Sequence, residues 1–195
     1  MPNACGQRVM AYHLVWACYG FWLPNDPRGS WSDAVNAFEL RPYGEATKVD
    51  TRRSIAHHAH DRSLRLAAKH ALPRQPVTLH GQQARSCAAA FSRAAFEHKI
   101  PIYAMAILPD HVHFVIGRGE HRIERIAAAW KAAATRRMRS DGTWTDSRTP
   151  WARNCWKVFL FNPADVHRAI RYVHENPPRA GLKPQRWRCI TTFSA

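Results

Sequence analysis

The sequence predicts an α+β domain: a ferredoxin-like β-α-β-β-α-β antiparallel sheet with helices on one face, a C-terminal helix, and an insertion after the first strand. Three observations carry this expectation. Four short runs rich in β-branched and aromatic residues punctuate the chain, at 11–18, 102–108, 111–116 and 156–161. Two longer segments with helical periodicity, 82–98 and 120–139, fall after the first and third of them. The second and third runs are separated only by Pro109-Asp110, a tight turn that makes them a hairpin.

Each element has a local reason. AYHLVWAC (11–18) is aromatic and β-branched and reads as a strand. YGFWLPNDPRGSW (19–31) holds two prolines, two glycines and Asn-Asp-Pro, a turn-rich loop. From 32 to 80 the periodicity is poor, which suits an insertion with one short helix around 60–70. Residues 82–98 are strong helix formers, rich in alanine. In 120–139, Ile123, Ile126, Ala127, Trp130 and Ala134 recur every three or four residues, with basic residues on the other side. After the strand at 156–161, Asn162 is placed to cap a last helix, with Pro163 at its first position and Asp165 in its first turn. Asn176-Pro177 should stop that helix near Glu175, leaving 177–195 as a basic, irregular tail. The whole, 1–195, reads as a single domain.

Charge narrows the partners. Lys and Arg number 29 against 14 Asp and Glu, a net charge of +15. The excess is spread: 13 basic and 7 acidic residues in 1–100, 16 and 7 in 101–195. A folded domain this basic meets a polyanion, and nucleic acid is the first candidate because lysine and arginine contact phosphate. The five cysteines (5, 18, 87, 155 and 189) are odd in number and widely spaced, with no C-x-x-C, so they read as isolated thiols in a reducing compartment. No apolar run approaches the roughly 18–20 residues of a membrane helix, and MPNACGQRVM lacks the apolar core of a secretion signal. The expectation is a soluble cytoplasmic protein.

LPDHVHFVI (108–116) is the most informative stretch. Strand alternation puts His111, His113 and Val115 on one face and the wholly apolar Val112, Phe114 and Ile116 on the other. The apolar set suits the helix-covered side, which leaves the histidines to a face expected to be open. Imidazoles at i and i+2 can converge on one divalent cation. The competing reading is two surface histidines with no ligand. A cation held on the sheet of a basic domain points to phosphodiester chemistry, with the cation as Lewis acid.

Three segments, AYHLVWACYGFWLP with the RGSW that follows it, ILPDHVHFVIGR and YVHENPPRAGL, resemble in sequence and order the REP-associated tyrosine transposases of the single-tyrosine HUH superfamily. The resemblance touches 11–31 and 100–190 and leaves 32–80 as a divergent insertion. It implies a ferredoxin-like catalytic fold and cleavage and rejoining of single-stranded DNA by one tyrosine with a divalent metal (Mg or Mn), often at the foot of a DNA hairpin. It also implies that His111 and His113 are metal ligands. Members of the family occur as monomers and as dimers, so a homodimer is one of two expectations.

One departure matters. The resemblance leads us to expect the nucleophilic tyrosine on the helix after the histidine strand, with a polar metal ligand four residues later. That helix carries Ala133, Ala134 and Thr135, then Met138. Of the tyrosines at 12, 19, 43, 103 and 172, only Tyr172 follows the histidines. Asn176 stands four residues on, so both can share one side of the last helix, off the stripe of Val166, Ala169, Ile170 and Val173. Tyr172 is therefore the candidate nucleophile, forming a 5′-phosphotyrosine link, and Asn176 the candidate third ligand. The competing reading makes YVHENP a structural helix end that packs the tail.

Contacts to DNA are expected from Trp22, Arg28 and Trp31 in the first loop, where Asp26 could also serve, and from two basic clusters. One is Arg136, Arg137 and Arg139; the other is Arg171, Arg179, Lys183 and Arg186. Most other tryptophans are expected in the core. His13 could join the histidines or be a partly buried structural residue. The leading expectation is a DNA transposase-like enzyme. Its alternatives are a domesticated relative that binds hairpins without cleaving them and, last, a ferredoxin-like RNA-binding domain, for which the aromatic pattern on the central strands is missing.

Overall fold

The computed structural model describes residues 8–23, 26, 38–44 and 61–194. Four strands form one antiparallel sheet: β1 (Ala11–Ala17), β2 (Ile102–Ile107), β3 (His111–Gly117) and β4 (Trp156–Leu160), in the order β2-β3-β1-β4. Helices α2 (Gly81–Glu97) and α3 (Ile123–Ser140) make the two crossovers, α1 (Arg62–His70) lies in the insertion, and α4 (Pro163–Arg179) follows β4. This is the expected α+β, ferredoxin-like arrangement. The short helix expected around 60–70 is α1, capped by the Asp61 carboxylate, which accepts from Leu64 N.

Alternation sorts the strands cleanly. Leu14 and Trp16 of β1, Met105 and Ile107 of β2, and Val112, Phe114 and Ile116 of β3 are buried with α2 and α3. The α3 residues facing them include Ile123, Ile126, Ala127, Trp130, Ala134 and Met138, the expected stripe. Trp16, Phe114, Phe91 and Trp130 pack with ring centroids 4.8–6.2 Å apart. That geometry adds aromatic pair energy to the area buried. Trp16, Trp130 and Trp151 are core residues, as expected.

The opposite face is not open, contrary to expectation. Val166, Ala169 and Val173 of α4 pack on Ala11, Ala104, Ala106, Val115 and Leu160. An open face carrying those side chains would expose a continuous apolar patch, so a cover is required on hydrophobic grounds alone. The C-terminal helix therefore lies across this second face, chiefly over β2 and β3.

The helix also outlasts its expected end. Pro177 and Pro178 sit inside its last turn, and Pro177 is buried, extending the apolar stripe by one step from Val173. The two missing N–H groups are tolerated because the end is closed three residues later. Gly181, at φ +73°, donates to Pro178 O, and Leu182 N donates to Pro177 O, the pairing of a Schellman cap. Beyond it the tail is irregular but docked along the edge of β2. The Gln185 amide both donates to Ile107 O (2.7 Å) and accepts from Ile107 N (2.8 Å), standing in for a neighbouring strand. Thr191 N donates to Ile102 O, and Phe193 packs on Tyr103.

One buried cation holds the segment before β4. Lys131 Nζ donates to Ala152 O (2.9 Å), Arg153 O (3.3 Å) and Asn154 O (2.8 Å), all three of its donors satisfied. Burial pushes its ammonium down to about 8. Replacing Lys131 by Met keeps the stem and deletes the donors. We expect Lys131→Met to cost about 3 kcal/mol in urea unfolding, the upper range for hydrogen bonds to a charged group. An unchanged midpoint would mean that water satisfies these carbonyls equally well.

Candidate active site

The face beneath α4 gathers three histidines. His111 and His113 come from β3 and His13 from β1, with Trp156 of β4 beside His13 (ring centroids 5.0 Å). The sheet order explains the grouping. β1 runs antiparallel beside β3 with His13 opposite Val115 and Val15 opposite His113, so His13 and His113 are diagonal neighbours on one face. His111 and His113 lie 4.7 Å apart with their rings nearly perpendicular.

The turn before β3 is fixed from two sides. Cys18 N donates to Asp110 O (2.7 Å) and Leu79 N to Pro109 O (2.7 Å). Asp110 is thereby held with its Oδ1 2.6 Å from His111 Nδ1. A carboxylate only accepts, so the proton belongs on Nδ1 and the Nε2 lone pair of neutral His111 is left for another partner.

His113 and His13 are both buried, 5% and 7% exposed. His13 Nε2 and His113 Nδ1 are 3.2 Å apart, so one donates to the other. Where His113 is the donor, its Nε2 too keeps a free lone pair. Burial holds the His113 ring neutral, its pKa well below the usual histidine range, and the neighbouring His111 and His13 add to this. Burial likewise lowers His13 to about 4.

Tyr172 of α4 comes down on this cluster. Its ring centroid is 5.7 Å from both His13 and His113. It is 43% exposed, so the side chain spans the boundary between histidines and solvent. The Arg179 guanidinium lies 6.0 Å from its ring centroid and also pairs with Glu175. One turn on, Asn176 Nδ2 donates to Tyr172 O (3.0 Å), and its Oδ1 has no hydrogen-bond partner among the described residues. By contrast Ala133, Ala134 and Thr135 ride on α3, across the sheet from the histidines; Ala134 is buried in the core there, and Thr135 Oγ1 is engaged with Lys131 O and Trp151 Nε1.

The donor set suits a divalent cation in part. Two imidazoles, one with a carboxylate behind it, match the usual surroundings of metal-binding histidine. Among the described residues no three His, Cys, Asp or Glu side chains form a metal cage, so a third protein ligand would have to be an amide such as Asn176.

The expected DNA contacts divide. Trp22, in the left-handed region at φ +56°, lies 5.9 Å from His111, at the margin of the cluster. Asp26 is buried. Arg28 and Trp31 lie outside the described residues. Arg171 and Arg179 are exposed on α4, and Lys183 and Arg186 are exposed on the tail. Arg136, Arg137 and Arg139 sit on α3, on the other side; Arg137 pairs with Asp141, and Arg139 holds the carbonyls of 146–148. The sequence left His13 open between joining the histidines and a partly buried structural role; the strand order puts β1 next to β3 and His13 against His113.

The buried histidines set a pH dependence. Their folded pKa values lie below the ordinary 6.5, so in acid the unfolded chain binds protons that the folded chain refuses, and stability falls with pH. For metal-free protein we expect His13 alone to cost roughly 2 kcal/mol between pH 7.5 and pH 5 in urea unfolding. His13→Gln should flatten that difference. Equal slopes for both proteins would contradict the burial argument.

Comparison with known proteins follows the same lines. No curated protein matches the chain. Among solved structures, one match is a REP-associated tyrosine transposase bound to a REP hairpin, at TM-score 0.50 and 12% identity, covering 91% of this chain and 72% of that one. It is a likeness of fold. Another is a chain assigned as a transposase from Deinococcus radiodurans R1, at TM-score 0.42 and 16% identity, covering 90% of this chain and 97% of that one. The family described as "Transposase IS200 like" matches residues 72–176, which is 105 of the 195 residues and spans the hairpin, His111, His113 and Tyr172. The chain belongs to the IS200-like transposase family.

Proposed function

We propose that this protein cleaves and rejoins single-stranded DNA beside a hairpin, with Tyr172 as nucleophile and His111 and His113 as ligands of a divalent metal, Mg or Mn. The observation that carries the reading is the position of Tyr172. It is on the helix that covers the histidine face, 5.7 Å from two of the three rings, whereas α3 lies across the sheet from them. Membership of a transposase family supports DNA as the substrate class. The REP hairpin in the matched structure supports the hairpin.

In this reaction the Tyr172 phenol gives its proton to water and its Oη attacks phosphorus. A 5′-phosphotyrosine bond forms as the P–O3′ bond breaks, and the 3′-oxygen leaves as a hydroxyl with a proton taken from water, so the energy of the diester is kept for rejoining. A bound divalent cation supplies Lewis-acid polarisation of a phosphate oxygen. His111 and His113 would hold it through Nε2, with Asn176 Oδ1 as a third ligand. Asp110 fixes the His111 tautomer, and His13 orients His113. Arg171 and Arg179 on α4, with Lys183 and Arg186 on the tail, draw in and position the phosphates. Trp22, at the edge of the cluster, offers a ring for an unpaired base.

A second reading is supported by the lack, among the described residues, of three His, Cys, Asp or Glu side chains in a metal cage. In that reading the protein binds hairpins and no longer cuts. Incubation with end-labelled single-stranded hairpin DNA and Mg or Mn separates the two. We expect a covalent protein–DNA adduct, absent for Tyr172→Phe and reduced at least about a hundredfold for His111→Ala, with DNA affinity changed far less. Tight binding without an adduct under either metal would favour the binding-only reading. An adduct that survives Tyr172→Phe would exclude Tyr172.

A further inference from the structure

The chain that pairs with β1 ahead of β4 is longer than β1 requires. Val15 pairs with Trp156, and Cys18 bridges Trp151. Three steps lead from 15 to 18 on one side, and five from 151 to 156 on the other. Two residues are therefore extra, and the ladder bulges over 152–155. A bulge orphans backbone groups and re-aims the strand that carries it, a device common beside active sites.

Lys131 fills this bulge from the α3 side of the sheet. Its buried ammonium donates to the carbonyls of Ala152, Arg153 and Asn154. The same turn of α3 anchors the residue before the bulge. Trp151 Nε1 donates to Lys131 O (3.0 Å) and to Thr135 Oγ1 (3.1 Å). Ala152 N donates to Ala17 O (3.0 Å), so regular pairing lasts up to the bulge and resumes at Trp156.

The hydrophobic pattern does not choose this register, because a shift of two keeps every side chain on its own face. Were the pairing of Cys18 with Trp151 to run on unbroken, Asn154 would stand opposite Val15 and Trp156 opposite His13. That register needs no buried cation. The observed one carries Trp156 two residues along β1, roughly 7 Å. Trp156 then lies beside Val15, whose other neighbour is His113. From there its ring meets His13 in a T-shaped contact at 5.0 Å. His13, between the two by strand order, stacks on His113 at 5.5 Å with its Nε2 3.2 Å from His113 Nδ1.

We propose that Lys131 is a positioning residue for the metal site, acting as a pin on strand register. It fixes where β4 begins, β4 sets Trp156 against His13, and Trp156 holds His13 in the pose that bonds His113. The proposal rests on the reading above, in which His113 is a metal ligand, and extends that site through the sheet to α3.

Two measurements test it. In metal-free protein, backbone NOEs between residues 15 and 156 mark the native register; Lys131→Met should lose them. Mn affinity, read from the EPR signal of free Mn, should weaken about tenfold or more in Lys131→Met and in Trp156→Leu, the scale of lost outer-shell support. Trp156→Phe, which keeps a ring beside His13, should stay near wild type. Deleting Arg153 and Asn154 from Lys131→Met leaves three steps from 151 to 156. This shortened chain should recover both the NOEs and the Mn affinity, and it carries the test where Lys131→Met alone does not fold. Native NOEs or wild-type affinity in Lys131→Met, wild-type affinity in Trp156→Leu, or a deletion that restores neither would overturn the pin and leave the metal site standing. A wild type that binds no Mn, or binds it equally well after His111→Ala, would overturn both readings.

Discussion

The arrangement depends on the seating of one helix. Val166, Ala169, Val173 and Pro177 press α4 onto the alanines of β2 and onto Val115, and that contact turns an apolar sheet face into a roofed site. Small side chains at 104 and 106 let the helix come close. The stripe then fixes everything else on α4 by geometry: Tyr172 and Asn176 on one flank, Arg171 and His174 on the other. Burial alone is enough to choose this pose, because the face has no other cover among the described residues. The Gly181 cap carries the helix past its two prolines, so that Pro177 completes the stripe.

Burial also prepares the chemistry. A histidine that is to bind a cation must be neutral and must present the right nitrogen. Enclosure of His13 and His113 disfavours their charged forms, and the Asp110–His111 and His13–His113 contacts direct the outer nitrogens of both β3 rings. The folded protein gives up stability in acid because the enclosed rings of His13 and His113 stay neutral, and in the proposed reaction His113 would meet a metal without losing a proton. Around this neutral pair the surface stays strongly basic, so a phosphate is attracted without protonated histidine.

Much of this was legible in the sequence where the signal is local. The hairpin at Pro109-Asp110, the alternation of HVHFVI and the stripe of α3 follow from periodicity and turn chemistry, and the resemblance of HVH and YVHENP to a transposase family agrees with the family match. The seating of α4 was missed, yet it had a signal. Ala11, Val15, Ala104, Ala106, Val115 and Leu160 share the supposed open face with the histidines, and such a set demands a cover. Expecting the nucleophile after the histidine strand pointed to α3, which the fold puts across the sheet. Asn176-Pro177 looked like a helix stop because the rule is local, while the Schellman cap at Gly181 and the burial of Pro177 are set by tertiary packing. Lys131 lies four residues after Ala127 on the buried stripe; nothing nearby in sequence foretold that three distant carbonyls would receive it.

The central claim is that the β3 histidines and Tyr172 form one metal-dependent site beneath α4. A crystal grown with Mn and measured at an anomalous wavelength examines it directly. The account predicts one strong peak bonded to Nε2 of both His111 and His113, on the side facing Tyr172. A peak elsewhere, or none in protein saturated with Mn, would contradict it.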